Sequence, residues 1–227
     1  MHPYIKPVYD QFSKQANKEN AAGMKAYMLH QFIFFGIKTP LRDSIVKAHI
    51  KTHPLNDMAA IEKIVKELWA MPNRELSYFA IDVFAANKKL WSPASIALIE
   101  YCITNKSWWE TVDTIASEWL GPYFKIFPEQ ILPVTKKWNQ SENIWLQRSS
   151  LLFQKSYKKE TDTALLSKYI LHLKDSKEFF IRKAIGWALR EYSKTNSEWV
   201  IQFVATNSLC PLSKKEALKR IHAKPVN

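Results

Sequence analysis

The run SWWETVDTIASEWLG at 107–121 places Trp109 and Asp113 four residues apart, one above the other on a helix face. A carboxylate in so apolar a stretch costs several kcal/mol to take out of water unless it is paired or used. Two further runs carry matching parts: Trp187 stands in SKEFFIRKAIGWALREY and Arg148 in NIWLQRSS. A carboxylate accepts positive charge, an indole face attracts a cation, and a guanidinium holds an anion. Each of these residues alone has a plainer use, since tryptophans on helices mostly pack and single arginines mostly sit in solvent. The combination is what points to a site.

These residues can meet only if the elements between them repeat. Thr39-Pro40, Asn73, Ser107, Ser141 and Asp175 each look like the start of a helix, with capping-box forms at Ser107-Trp108-Trp109-Glu110 and Asp175-Ser176-Lys177-Glu178. Successive starts at 39, 73, 107, 141 and 175 differ by 34. Second helices open near Asn56, Ser92-Pro93, Pro128, Thr161 and Ser197, and Ile61, Ile64, Val65 and Leu68 have helical rather than alternating spacing. The expected architecture is all-α: a right-handed superhelical solenoid of five HEAT-like hairpins with a concave basic cleft. One domain over 1–227 is expected, with N-terminal helices at 4–16 and 21–34 and a closing helix near 213–223, opened by Ser213 in a further capping box. A period of 34 also belongs to tetratricopeptide arrays, but their W-x2-L-G-x2-Y signature is missing.

Aligned on these starts, the sixth following residues are Ile45, Phe79, Asp113, Gln147 and Ile181. Asp113 therefore takes a slot that sibling repeats fill with hydrocarbon. The twelfth are Lys51, Ala85, Trp119, Phe153 and Trp187, and Arg148 has a basic counterpart in Arg182.

Composition narrows the partner. Only four glycines occur, which disfavours sheet folds and glycine-rich phosphate loops. Thirty-three Lys+Arg against twenty-one Asp+Glu give a net charge of +12, a field that draws in polyanions such as nucleic acid. Cys102 and Cys210 form no CxxC, and no apolar run approaches bilayer-spanning length. His49 and His53 have the spacing of a metal pair but no third ligand, so they read as a helix-end pair and no metal is expected. No GxSxG, HExxH or helix-hairpin-helix motif occurs.

The chain resembles the AlkD-type DNA alkylation repair glycosylases, a bacterial family of HEAT-like repeats. The resemblance runs through MHPYIKP, FFGIKTPLR, KELWAMPNREL, TNKSWWETVDTIA, SENIWLQRSSLLFQ, SKEFFIRKAIGWALREYSKTN and PLSKKEALKRI. It implies hydrolytic excision of cationic N3- and N7-alkylated purines from duplex DNA without base flipping. It also implies a cytoplasmic, nucleoid-associated monomer with no cofactor and no membrane partner. Asp113 is the implied catalytic carboxylate, Trp109 and Trp187 the cleft tryptophans, and Arg148 a DNA-backbone arginine. Arg190 and Tyr27 are further implied DNA contacts, and Lys38 stands where the family often has glutamine. Competing readings are a catalytically silent DNA-binding relative and a peptide-binding solenoid. Hydrolysis alone is expected, because no lysine in the sequence shows a reason for a depressed pKa.

Overall fold

The computed structural model describes residues 1–222, and these pack as two compact units, one of Met1–Leu98 and one that begins at Ile99. All regular structure among the described residues is helical, with one isolated bridge between Ile33 and Asn73. The first unit holds α1 (Lys6–Lys14), α2 (Lys18–Tyr27), α3 (Thr39–Thr52), α4 (Met58–Ala70), α5 (Arg74–Ala86) and the start of α6 (Ser95–Thr104). The second continues with α7 (Trp109–Ile115), α8 (Gly121–Ile126), α9 (Ile131–Asn139), α10 (Ile144–Leu152), α11 (Thr163–Leu173), α12 (Phe179–Tyr192), α13 (Ser197–Thr206) and α14 (Pro211–Leu218).

The repeat is present, but its period is 35. The first helices begin at 39, 74, 109, 144 and 179, each 35 after the last. Hydrogen bonds repeat in the same register. Gln147 Nε2 donates to the Ser141 carbonyl at 2.7 Å, and Arg182 Nε donates to the Ser176 carbonyl at 2.8 Å. Ser141 and Asp175 do not cap their helices, whose caps are Asn143 and Glu178. The hydroxyls of Ser141 and Ser176 accept the N–H two residues on, from Asn143 and Glu178, which turns the chain just before the cap. Asn143 is the working cap, accepting from Trp145 and Leu146. Ser107 sends its hydroxyl back to the Ile103 carbonyl, so the cap is Trp108. At the C-terminal end Cys210 caps α14, while Ser213 lies buried inside that helix and donates to the Arg182 carbonyl. The expected closing helix near 213–223 thus starts and ends earlier, and residue 223 lies outside the described residues.

Two other expectations shift. The second N-terminal helix stops at Tyr27, well before 34, because Leu29 and His30 adopt φ of 51° and 60° and leave the right-handed helical region. The following segment is held by Glu75, whose carboxylate accepts the N–H groups of Phe35, Gly36 and Ile37. Gly36 is required there: at φ +89° its absent Cβ would lie 2.1 Å from the Asn17 carbonyl oxygen. His49 and His53 stack at 4.4 Å with ring planes 23° apart, so their ring nitrogens do not converge on a common point.

In the second unit the first helices pack on one another, α7 on α10 and α10 on α12, while α9 packs on α11. Trp119, Trp138, Tyr123, Ile181 and Ile185 are fully buried between these layers. Between α7 and α8 the helix widens into one π turn at Ala116–Leu120. Pro122 explains it: proline has no N–H for the Glu118 carbonyl, and its ring would strike that oxygen in a regular helix. Gly121 completes the junction, since a Cβ there would meet the Phe153 carbonyl at 2.8 Å.

Candidate active site

The 35-residue register changes the meaning of Asp113. Its equivalents are Asp43, Tyr78, Arg148 and Lys183, all polar, and not the apolar residues of the 34-residue alignment. The slot is polar on every first helix, and in the second unit it forms a stripe across α7, α10 and α12. Residues one repeat apart are neighbours in a stack, so Asp113 and Arg148 face each other directly.

Their pairing is bidentate. Arg148 Nε donates to Asp113 Oδ1 at 2.6 Å and Nη2 donates to Oδ2 at 2.8 Å. Nη1 reaches one repeat further and donates to the Phe180 carbonyl at 2.5 Å. The guanidinium thereby ties α7, α10 and α12 together. Both partners are buried, with side chains 8% and 4% exposed. Burial pushes the Asp113 carboxyl above the usual carboxylate range, and the Arg148 fork pulls against that rise. Both oxygens accept N–H donors, which is the arrangement of a carboxylate and not of an acid.

Below the pair, three rings join the helix starts. Trp108, Trp145 and Phe180 have ring centres 5.0–6.0 Å apart in tilted and edge-on contacts. They fix the spacing of the three first helices and hence the reach of Arg148.

A cavity of about 290 Å³ opens above, lined by Trp109, Asp113, Arg148, Phe179, Phe180, Lys183, Trp187, Arg190 and Glu216. Every second-unit residue singled out from the sequence borders it. An adjoining cavity of about 390 Å³ shares Trp109, Asp113 and Trp187 and adds Glu110, Ser117 and Lys155. Trp109 and Trp187 are half-buried, with part of each indole at the cavity wall. The Trp187 ring already receives cations: Lys155 Nζ lies 4.1 Å and Arg148 Cζ 6.0 Å from its centre.

Two residues expected to contact DNA also have partners within the protein. The Arg148 guanidinium holds Asp113 and the Phe180 carbonyl. Arg190 borders the cavity but binds Glu216 Oε2 at 2.9 Å, and Lys183 takes Oε1 of the same carboxylate at 2.8 Å. The hydrogen bond from Lys183 is the largest influence holding Glu216 below the usual glutamate range. Glu216 reaches the site because α14 docks tightly on α12. A Cβ on Gly186 would lie 2.5 Å from the Glu216 Cβ and 2.8 Å from the Ser213 carbonyl oxygen. Tyr27, at the end of α2, and Lys38, which precedes α3, belong to the first unit, and both are exposed.

Sequence reasoning missed Glu216, Lys183 and Lys155. The 35-residue register exposes Lys183 as the next member of the Asp113–Arg148 stripe, whereas Glu216 had looked like one half of a capping box. Nothing separates Lys155 from the other lysines of FQKSYKK.

Fold and site together define an all-helical protein with a paired carboxylate and two indoles lining one cavity. Residues 8–221 match the family described as DNA alkylation repair enzyme, and the chain belongs to that family. Its role is therefore in the repair of alkylated DNA. A solved structure described as a predicted DNA alkylation repair enzyme from Enterococcus faecalis is 32% identical, with the match covering 92% of this chain and 98% of that one at a TM-score of 0.86. No curated protein matches the chain. No helix among the described residues is long and apolar enough to cross a membrane.

Proposed function

We propose that the protein is a DNA glycosylase that hydrolyses the N-glycosidic bond of N3- and N7-alkylated purines in duplex DNA. One observation carries this reading: a carboxylate with both oxygens held by one arginine borders the same cavity as two indoles. Alkylation at N3 or N7 leaves the purine positively charged, so it departs as a neutral base without prior protonation. Ordinary glycoside hydrolysis uses an acid for the leaving group and a second carboxylate for the sugar. Here the acid is dispensable and one carboxylate suffices.

Positive charge then develops on the deoxyribose. Asp113 faces it and aligns water, and Arg148 keeps the carboxylate ionised and fixed, so no reorganisation is needed as the bond breaks. Trp109 and Trp187 offer negative ring faces to the same charge, an attraction of about 0.5–2 kcal/mol each that grows as the cation forms. Lys183 and Arg190 sit at the rim, where phosphates pass. The open cavity walls suit a sugar approached from the backbone, with the damaged base left outside, so bulky adducts are tolerated.

The test is single-turnover release of 7-methylguanine from methylated duplex. Asp113→Asn should lower release by about 10²–10³-fold while duplex binding is kept, the scale seen when one electrostatic stabiliser is removed. Normal release by the variant removes Asp113 from the chemistry. Binding of methylated duplex by wild-type protein with no free base at all makes the chain a silent DNA-binding relative.

A further inference from the structure

Two cations of the site share one carboxylate. Lys183 Nζ donates to Glu216 Oε1 at 2.8 Å, and Arg190 Nη1 donates to Oε2 at 2.9 Å. The two bases stand two turns apart along one face of α12, and the carboxylate reaches them from α14. All three side chains border the cavity of Trp109, Asp113 and Trp187. Two positive charges against one negative leave the group cationic.

The cations are also more open than the anion between them. Their side chains are 36% and 25% exposed, against 12% for Glu216. Among the described residues Arg190 Nε and Nη2 have no hydrogen-bond partner, so the fork that Arg148 closes on Asp113 stands open on Arg190. A carboxylate and a phosphodiester present the same feature to such donors, two oxygens sharing one negative charge.

We propose that Glu216 is a resident stand-in for a DNA phosphate: Lys183 and Arg190 form a clamp that exchanges this carboxylate for a phosphodiester when duplex binds. It rests on the DNA partner of the preceding reading and not on the cleavage chemistry. An incoming phosphate meets the open fork of Arg190 first. Its charge then repels the neighbouring carboxylate, and Lys183 passes from one anion to the other. The exchange is confined to a side chain, because α14 is held in place. Buried Ser213 donates to the Arg182 carbonyl at 2.8 Å, and the Glu216 Cβ is seated against Gly186, where a second Cβ would lie 2.5 Å from it. Rotation beyond that Cβ carries the carboxylate into solvent, where it recovers its hydration. Freeing the clamp costs the same on every sequence, so Glu216 weakens the grip on any duplex without reading bases.

Binding of a fluorescein-labelled undamaged duplex, followed by anisotropy, tests the exchange. Glu216→Gln should bind about three-fold or more tighter than wild type, the scale of one partly exposed ion pair. Its affinity should also fall more steeply with salt, because the clamp then takes a phosphate with no internal anion to release. Glu160→Gln removes the same charge from an exposed pair with Lys125, away from both cavities, and should give a clearly smaller gain. In a Lys183→Met/Arg190→Met background the gain from Glu216→Gln should vanish. Equal or weaker binding by Glu216→Gln overturns the proposal, since the carboxylate would then serve to aim the two cations. So does a gain no larger than that of Glu160→Gln, or one that survives without the clamp. Wild-type protein gives a measurement independent of how any variant folds. Carbodiimide coupling of an amine to Glu216, mapped by mass spectrometry, should increase when duplex is added, and an unchanged or falling yield overturns the exchange. Release of 7-methylguanine is followed separately. A chain that meets these outcomes but frees no base keeps the clamp and loses the glycosylase reading, and one that frees base without the gain does the reverse.

Discussion

Arg148→Met isolates the contribution of the guanidinium to the site. The replacement roughly preserves the aliphatic bulk and removes three hydrogen bonds: two to Asp113 and one to the Phe180 carbonyl. It leaves a carboxylate that is 8% exposed with no partner for either oxygen. Breaking a buried ion pair from one side costs about 3–5 kcal/mol, because the remaining charge stays desolvated. Against a total of about 5–15 kcal/mol for a natural domain, that is a large fraction. In the double variant Asp113→Asn/Arg148→Met the stranded charge disappears, so the loss should shrink to about 1–3 kcal/mol for unsatisfied neutral groups. Urea unfolding of the four proteins at pH 7 should therefore show a double-variant loss smaller than the sum of the two single losses by at least about 2 kcal/mol. The pH dependence has a defined sign. Without arginine, the already raised Asp113 carboxyl rises further, so the native state of Arg148→Met holds its proton more tightly than the unfolded chain does. Its stability is then greatest below the ordinary aspartate value of 3.8 and is lost as pH rises through the folded value. The gap to wild type should thus be narrower in acid than at neutrality. Four proteins additive within about 0.5 kcal/mol would refute the argument that the pair acts as a unit.

Glycine at 186 should be irreplaceable on steric grounds. Gly186→Ala puts a Cβ 2.5 Å from the Glu216 Cβ and 2.8 Å from the Ser213 carbonyl, so α14 must back away at a cost of about 1–3 kcal/mol, visible as earlier proteolytic cleavage within 211–218. Gly36→Ala meets backbone at 2.1 and 2.7 Å and also forces a left-handed φ, so it should unfold the N-terminal helices at lower urea than the rest of the chain. Glu216 gives the docking of α14 an acid limit. Its lowered folded value means the stabilisation is complete above the ordinary 4.5 and fades as pH falls through the folded value, and Glu216→Gln should flatten that acid limb in a pH titration of thermal stability.

The sequence shows the helices, their pairing and the second-unit residues that meet, because apolar spacing, capping side chains and the Trp109–Asp113 interval are all local. It misleads where a local signal has two uses. Ser107, Ser141 and Asp175 are good capping residues by type, yet the chain turns once more before each helix begins. Glu216 follows Ser213 at capping-box spacing but serves as the anion for two cations on α12. The environment of Lys155 exists only after the turn at 153–157 folds back on Trp187, more than thirty residues away. Its composition, one lysine among 27, holds no trace of that contact.

The difference between a 34- and a 35-residue period decides how much of the site can be read in advance. In stacked repeats, residues one period apart occupy the same slot on adjacent helices, so complementary types at that interval foretell contacts. A period of 34 sets Asp113 opposite Gln147 and makes it an isolated carboxylate among hydrocarbon. A period of 35 sets it opposite Arg148, and the same interval accounts for the ion pair of Lys125 with Glu160 at 2.7 Å. The first register asks what an unpaired acid is for, and the second answers that it is not unpaired. Its counter-ion is built into the next repeat. The arginine nearest the carboxylate is therefore part of the site's own framework, tying α7, α10 and α12 together.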